Sequence, residues 1–216
     1  GETATITFTI SESVSDFVIG DITVSGGTLG SFTGSGTSYT VVFTPDASST
    51  ANGVISVADT KFTDAAGNTN ADSSEGNNTE TITVDTVLPT IALSSDAANL
   101  KAGETATITF TISESVSDFV VGDITVSGGT LGSFVAVSGT SYTVVFTPTA
   151  SSTANGVISV ADTKFTDAAG NTNADGGDAD NTSTITVDTL LPTLLSAETG
   201  DNNGDGTVDR LVLTFS

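Results

Sequence analysis

Glu104–Ile112 reads ETATITFTI. Ala106, Ile108, Phe110 and Ile112 fall on one phase of a two-residue period, and Thr105, Thr107, Thr109 and Thr111 fall on the other. Successive side chains of a strand point to opposite faces, so the pattern predicts one buried face and one solvated threonine face. The same period continues along the chain. Ile124 and Val126 flank Thr125; Tyr142, Val144 and Phe146 alternate; so do Ile158 with Val160 and Ile185 with Val187. Clusters of Gly, Pro, Asn and Asp separate these runs, among them PTASSTANG (Pro148–Gly156) and DAAGN (Asp167–Asn171). No helical period is present.

Around this stretch the chain repeats itself. Gly1–Phe32 and Gly103–Phe134 differ only at Ile19 against Val121, an offset of 102. Thr37–Ala71 and Thr140–Ala174 differ only at Asp46 against Thr149, an offset of 103 after a one-residue insertion near Val135. Solenoid and propeller units run about 20–50 residues, so a period this long marks a whole domain. Seven strands are predicted in the complete copy, near Thr90–Ser95, Glu104–Ile112, Asp123–Ser127, Gly132–Val137, Ser141–Thr147, Gly156–Ala161 and Thr182–Asp188. Seven short antiparallel strands in about 100 residues indicate an all-β chain of tandem immunoglobulin-like seven-strand β-sandwiches. The Cys and Trp marks of antibody domains are absent, so the inference is to architecture. Residues 1–88 read as a repeat lacking its first strand and 89–191 as a complete repeat. Residues 192–216 read as the first two strands of a third, divergent repeat.

Composition excludes several functions. Twenty-six acidic residues against four basic ones give a net charge of -22. Nucleic-acid affinity rests on Lys and Arg neutralising phosphates, so a nucleic-acid partner is not expected. Anionic membrane surfaces are disfavoured on the same grounds, and no apolar run approaches the roughly 20 residues of a membrane span, so no membrane insertion is expected. With no Cys there is no disulfide framework, and with no His there is no ordinary general base near neutral pH. Nothing in the pattern suggests a cleft with paired carboxylates, so the chain does not read as an enzyme.

TFTISESVSDF, DITVSGGTLGSF, FTDAAGNTNAD and TVDTVLPT together resemble the bacterial Ig-like tandem repeats of large secreted adhesins of the RTX and biofilm type. The resemblance runs to about Pro192. It implies threading in long arrays on a bacterial cell surface, an extracellular location, neighbouring repeats of the same chain as partners, and calcium stiffening the junctions.

The residues themselves suggest where a cation would sit. Calcium takes about 6–8 oxygen ligands, and this chain offers oxygen donors without His or Cys, so Ca2+ fits and zinc or copper does not. Strand alternation places the loop Ser113–Gly122 and the loop Thr166–Asn181 at the end where the chain enters the second repeat. Asp85 closes the first repeat just before Pro89, which makes the linker short and stiff. Asp85, Glu114, Asp123, Asp167 and Asn171 are therefore candidate junction ligands, with Glu12, Asp21 and Asp64 their counterparts in the first repeat. Asp167 and Gly170 equally suit an Asx turn. Asp175, Asp178 and Asp180 change spacing from Asp72, Glu75 and Asn77 and read as a solvated acidic loop. In DNNGDGTVD, Asp201, Asn203, Asp205 and Asp209 occupy positions 1, 3, 5 and 9 of an EF-hand-like loop with Gly206 at position 6. Position 12 is Val212 rather than Glu, and the flanks read as strands, so a calcium loop in a β-hairpin is expected; an Asn/Gly-rich turn is the alternative.

The sequence reads as a structural spacer. Two alternatives stay open: a filament or surface-layer subunit that self-associates through sheet edges and donated strands, and a glycan- or protein-binding module. Binding surfaces favour exposed aromatics and Arg, and here there are two Tyr, no Trp and one Arg.

Overall fold

The alternating runs form strands throughout the computed structural model, which describes residues Gly1–Ser216. The chain divides into two compact units, Gly1–Leu88 with Ala169–Asn171, and Pro89–Ala168 with Thr172–Ser216. No helix is long and apolar enough to cross a membrane.

In the first unit, β1 (Ala4–Val14) pairs antiparallel with β3 (Gly27–Pro45), Ala4 opposite Phe43 and Phe8 opposite Tyr39. A second sheet has the order β2 (Ile22–Ser25), β4 (Gly53–Val57), β5 (Thr79–Ile82). Tyr39, Val41 and Phe43 of β3 meet Ile55 and Val57 of β4 in the core, with Val14, Phe17 and Val84.

The second unit is a sandwich of two four-stranded sheets. One has the order β10 (Gly129–Ser138), β11 (Ser141–Pro148), β8 (Ala106–Ile112), β6 (Ile91–Ser95). The other has the order β7 (Asn99–Lys101), β13 (Thr182–Asp188), β12 (Gly156–Val160), β9 (Ile124–Ser127). The alternating apolar side chains face each other between the sheets: Ile108, Phe110, Val144, Phe146, Ile158 and Ile185 are fully buried, and Tyr142 and Val160 nearly so. The strand register read from the sequence is therefore the one the fold uses.

The first strand differs from the expectation. It is not one segment but two, because it crosses from one sheet to the other. β6 pairs antiparallel with β8, Ile91 opposite Ile112 and Leu93 opposite Phe110. β7 pairs parallel with β13, Leu100 opposite Val187. The bend between them is held locally: the Ser95 hydroxyl donates to the Ala97 carbonyl at 2.8 Å, and Asp96 accepts the Thr107 N–H at 2.8 Å. Leu100, 4% exposed, is buried between exposed Asn99 and Lys101, a three-residue alternation that was the available sequence signal.

Two glycines lock the far end of the core. A Cβ on Gly129 or on Gly156 would lie 2.6 Å from Phe146 ring atoms, a distance real Cβ contacts do not reach. Both strands therefore press directly on the ring. At the other end Phe119 sits edge-to-face on Phe110, Tyr142 and Phe165, with centroids 5.4, 5.2 and 5.5 Å away. The Tyr142 hydroxyl donates to the Val116 carbonyl at 2.8 Å, tying the loop after β8 to the sheet.

The last residues form a hairpin, β14 (Leu194–Gly200) with β15 (Arg210–Phe215). Leu194, Leu195, Leu211 and Phe215 on it are 54–64% exposed.

Phe110→Ala is expected to cost about 3–5 kcal/mol of stability, as large-to-small core changes do. Gly156→Ala is expected to cost about 1–3 kcal/mol by overpacking against Phe146. Urea denaturation of each variant checks both; an unchanged midpoint for either contradicts the packing described.

Candidate metal-binding loops

The loops at the entry end of the second unit are built by polar side chains before they can hold anything. Asn173, fully buried, accepts the N–H groups of Lys164 and Phe165 through Oδ1 at 2.7 and 3.3 Å and donates to the Ala161 carbonyl at 2.9 Å. Asp118 accepts the Thr166 N–H at 2.9 Å and its hydroxyl at 2.7 Å, which joins the loop after β8 to the loop before β13. The first unit repeats this with Asp16 and Thr63, and those Thr63 bonds hold the Asp16 carboxyl below the ordinary 3.8. Neither Asn173 nor Asp118 was singled out in the sequence. Their signal was indirect: polar residues beside Phe119 and Phe165 must satisfy the backbone of loops pinned by those rings.

This framework brings Glu114 and Asp167 together. A carboxylate oxygen of each lies within 4.8 Å of the other. Asp167 is buried and Glu114 half-buried. Two carboxylates at that distance in a sheltered position repel when both are ionised, and hydrogen-bond donors, a shared proton or a hard cation can each offset that repulsion.

Asp123 has another role. Its Oδ2 accepts the Val120 N–H at 2.8 Å, closing the short 3-10 turn Val121–Asp123, and Asp21 does the same for Val18 at 2.9 Å. Asp64 accepts the N–H groups of Ala66 and Asn68, each at 2.8 Å, and the Asn68 side-chain amide at 2.7 Å. The Asn68 bonds hold its carboxyl below 3.8. The Asx turn expected in DAAGN is thus present in the first unit. Glu12 is exposed on β1. Asp85 is half-buried, and within the first unit the Asn171 amide donates to its carbonyl at 3.1 Å.

Asp175 corrects the picture of a solvated acidic loop. Asp178 and Asp180 are exposed, but Asp175 is half-buried and accepts the Ile91 N–H at 2.6 Å. Its carboxylate anchors the first strand.

The loop between β14 and β15 folds around its acids. Asp201 accepts the Gly204 N–H at 2.6 Å and the Gly206 N–H at 2.8 Å, with both glycines at positive φ, 77° and 81°. Asn203 accepts the Asp205 N–H at 3.0 Å, and Asp209 accepts the Asn202 N–H at 2.8 Å. Asp205 accepts both the N–H and the hydroxyl of Thr207. The donors from Gly206 and Gly204 hold the Asp201 carboxyl below 3.8, and the Thr207 hydroxyl does so for Asp205. These bonds close a tight turn rich in Asn and Gly, a geometry common to an EF-hand-like loop and to a plain hairpin turn. Val212, at position 12, lies on β15 opposite Glu198.

The family model described as bacterial Ig-like domain matches residues 1–81 and 85–187. The chain belongs to the bacterial Ig-like domain family. Among solved structures, this bacterial Ig-like chain is similar to invasin, described as a bacterial integrin-binding protein, with 11% identity and a TM-score of 0.42, covering 99% of this chain and 43% of that one. It is similar to InvD of Yersinia pseudotuberculosis, with 21% identity and a TM-score of 0.37, covering 98% and 64%. It is similar to the Escherichia coli adhesin FdeC, with 16% identity and a TM-score of 0.39, covering 92% and 64%. The Ig-like chain thus spans 43–64% of the length of these proteins. No curated protein matches it.

A carboxylate whose folded value is depressed adds stability above its unfolded value and loses it as pH falls through the folded value. Asp201 and Asp205 are therefore expected to titrate below 3.8, with the hairpin loop keeping its structure near pH 4 and losing it only in stronger acid. Carboxyl-carbon NMR across pH 2–6 measures this directly; midpoints at or above the ordinary value contradict the described loop hydrogen bonds.

Proposed function

We propose that these bacterial Ig-like repeats are a structural spacer of an extracellular, cell-surface adhesin, in which calcium stiffens the passage from one repeat to the next. The observation that carries the reading is the near-identity of two successive whole domains, which differ at only two positions across the matched segments. A neighbouring copy adds length and repeats no distinct chemistry. Glu114 and Asp167 supply the carboxylate pair on the second repeat, and Asp85, four residues before Pro89, is the donor proposed from the linker. Hard oxygen donors of this kind suit calcium.

An ion that binds only the folded state stabilises by mass action, by about 2.7 kcal/mol at a hundredfold excess over its dissociation constant. Chelator is therefore expected to lower the melting temperature by several degrees, with calcium retained in elemental analysis after gel filtration. Small-angle scattering separates stiffening from simple binding. The maximum dimension is expected to fall or broaden on adding chelator, and Asp85→Ala is expected to give the chelated profile even in calcium while each repeat stays folded. A dimension unchanged by chelator and by Asp85→Ala removes calcium from the linkage and leaves a passive string of domains.

A further inference from the structure

Between their matched segments the two repeats part company. Thr33–Gly36 reads TGSG, and Val135–Gly139 reads VAVSG. In the first repeat Gly34 and Gly36 stand at φ 135° and 68°, outside the range of an extended strand. In the second, Val135, Ala136 and Val137 belong to β10 and face water, Val135 with 51% and Val137 with 63% of its surface exposed.

β10 is an edge. β11 pairs with one side of it, and no strand pairs with the other. Natural edges are blunted by charged side chains, Pro or bulges. β10 has no charge and no Pro. Its register shifts, between Gly132 and Val135 and between Ala136 and Ser138, limit any pairing along it to a few residues. Those residues are well anchored. Phe134, just before them, stacks on Tyr142 and meets Phe119 edge-on, each with centroids 5.8 Å apart. An edge held in place from behind needs little further ordering to accept a partner. The whole sheet is also free of charge: β6, β8, β10 and β11 contain no Asp, Glu, Lys or Arg, in a chain of net charge -22.

We propose that the exposed edge of β10 is a lateral self-association site, which pairs antiparallel with β10 of a second copy of this chain. The edge is self-complementary. A two-fold axis through Ala136 sets Val135 of each copy opposite Val137 of the other, an aliphatic pair on both sides of the axis. Main-chain hydrogen bonds along the edge supply the rest of the contact. Charge selects the occupant. A basic partner finds no carboxylate on this sheet to pair with, whereas a second copy brings an edge as neutral as the first. What opposes the pairing is the repulsion between two acidic chains, which acts from outside the contact and is screened by salt. The first repeat lacks the site, because its glycines interrupt the strand at the matching place.

The test is sedimentation equilibrium of the 216-residue chain in chelator, so that its outcome is independent of calcium. From micromolar to millimolar protein, a monomer–dimer equilibrium is expected that strengthens as salt is added. Hydrogen exchange at the Val135–Val137 amides is expected to slow with protein concentration, while exchange in β12 stays constant. Two variants locate the contact. Replacing Val135–Gly139 by the Thr-Gly-Ser-Gly of the first repeat, and separately Val137→Glu, are each expected to weaken dimerisation at least ~10-fold. Both leave the core residues in place, so an unchanged melting temperature confirms that the fold is intact. A chain that stays monomeric at millimolar concentration in high salt overturns the proposal. So does a dimer that both variants leave unchanged, since the contact then belongs to another surface, such as the exposed hairpin residues Leu195 and Phe215.

Discussion

A sandwich of two sheets closes only when something ties one sheet to the other along the open side. In the second unit that tie is the first strand. It enters along β8, bends at Ser95–Ala97 and continues along β13 in the opposite sheet. Each half covers apolar side chains that the other elements leave exposed to water. With the strand seated, the core from Ile108 to Ile185 is dry. Burial of apolar area is the dominant favourable term in folding, so the seating of this one strand governs how finished the core of the second unit is.

The loops inherit their order from that core. Phe119 and Phe165 are loop residues, yet both are buried like strand residues: Phe119 sits on Phe110 and Tyr142, and Phe165 sits on Phe119. With the rings fixed, the backbone around them needs internal partners, which Asn173 and Asp118 provide. Glu114 and Asp167 are held near each other on this scaffold. The acids that face water contribute mutual repulsion instead, as part of a net charge of -22.

The strand pattern was legible because a two-residue period has only one reading when half its positions are Ile, Val and Phe and the other half Thr. It failed at Asn99–Lys101, where three residues cannot establish a period and the burial of Leu100 depends on a partner strand 87 positions away, Val187. Among the acids, residue types were legible and occupations were not. Asp123 and Asp167 look alike as loop aspartates, yet one closes a turn on Val120 while the other is buried near Glu114. Asp175 looked like one of three solvated acids, and its bond to Ile91 spans 84 positions. Such assignments depend on which distant backbone donor arrives, which no local spacing encodes. The hairpin loop Asp201–Asp209 was more legible, because its hydrogen bonds all run between near neighbours.

The parallel pairing of Asn99–Lys101 with Thr186–Asp188 also determines how the second unit meets a mechanical load. Tension along the chain pulls the entering strand backward from its start and the last strand forward from its end. Because the two lie side by side and point the same way, that tension slides them past each other. All the hydrogen bonds between them are strained at once, in shear, instead of opening one after another as in a peeled hairpin. β6, running antiparallel to β8 from the same entry point, is loaded along its length as well. The strand that completes the core is thus also the clamp that force must break before anything else in the domain can unravel.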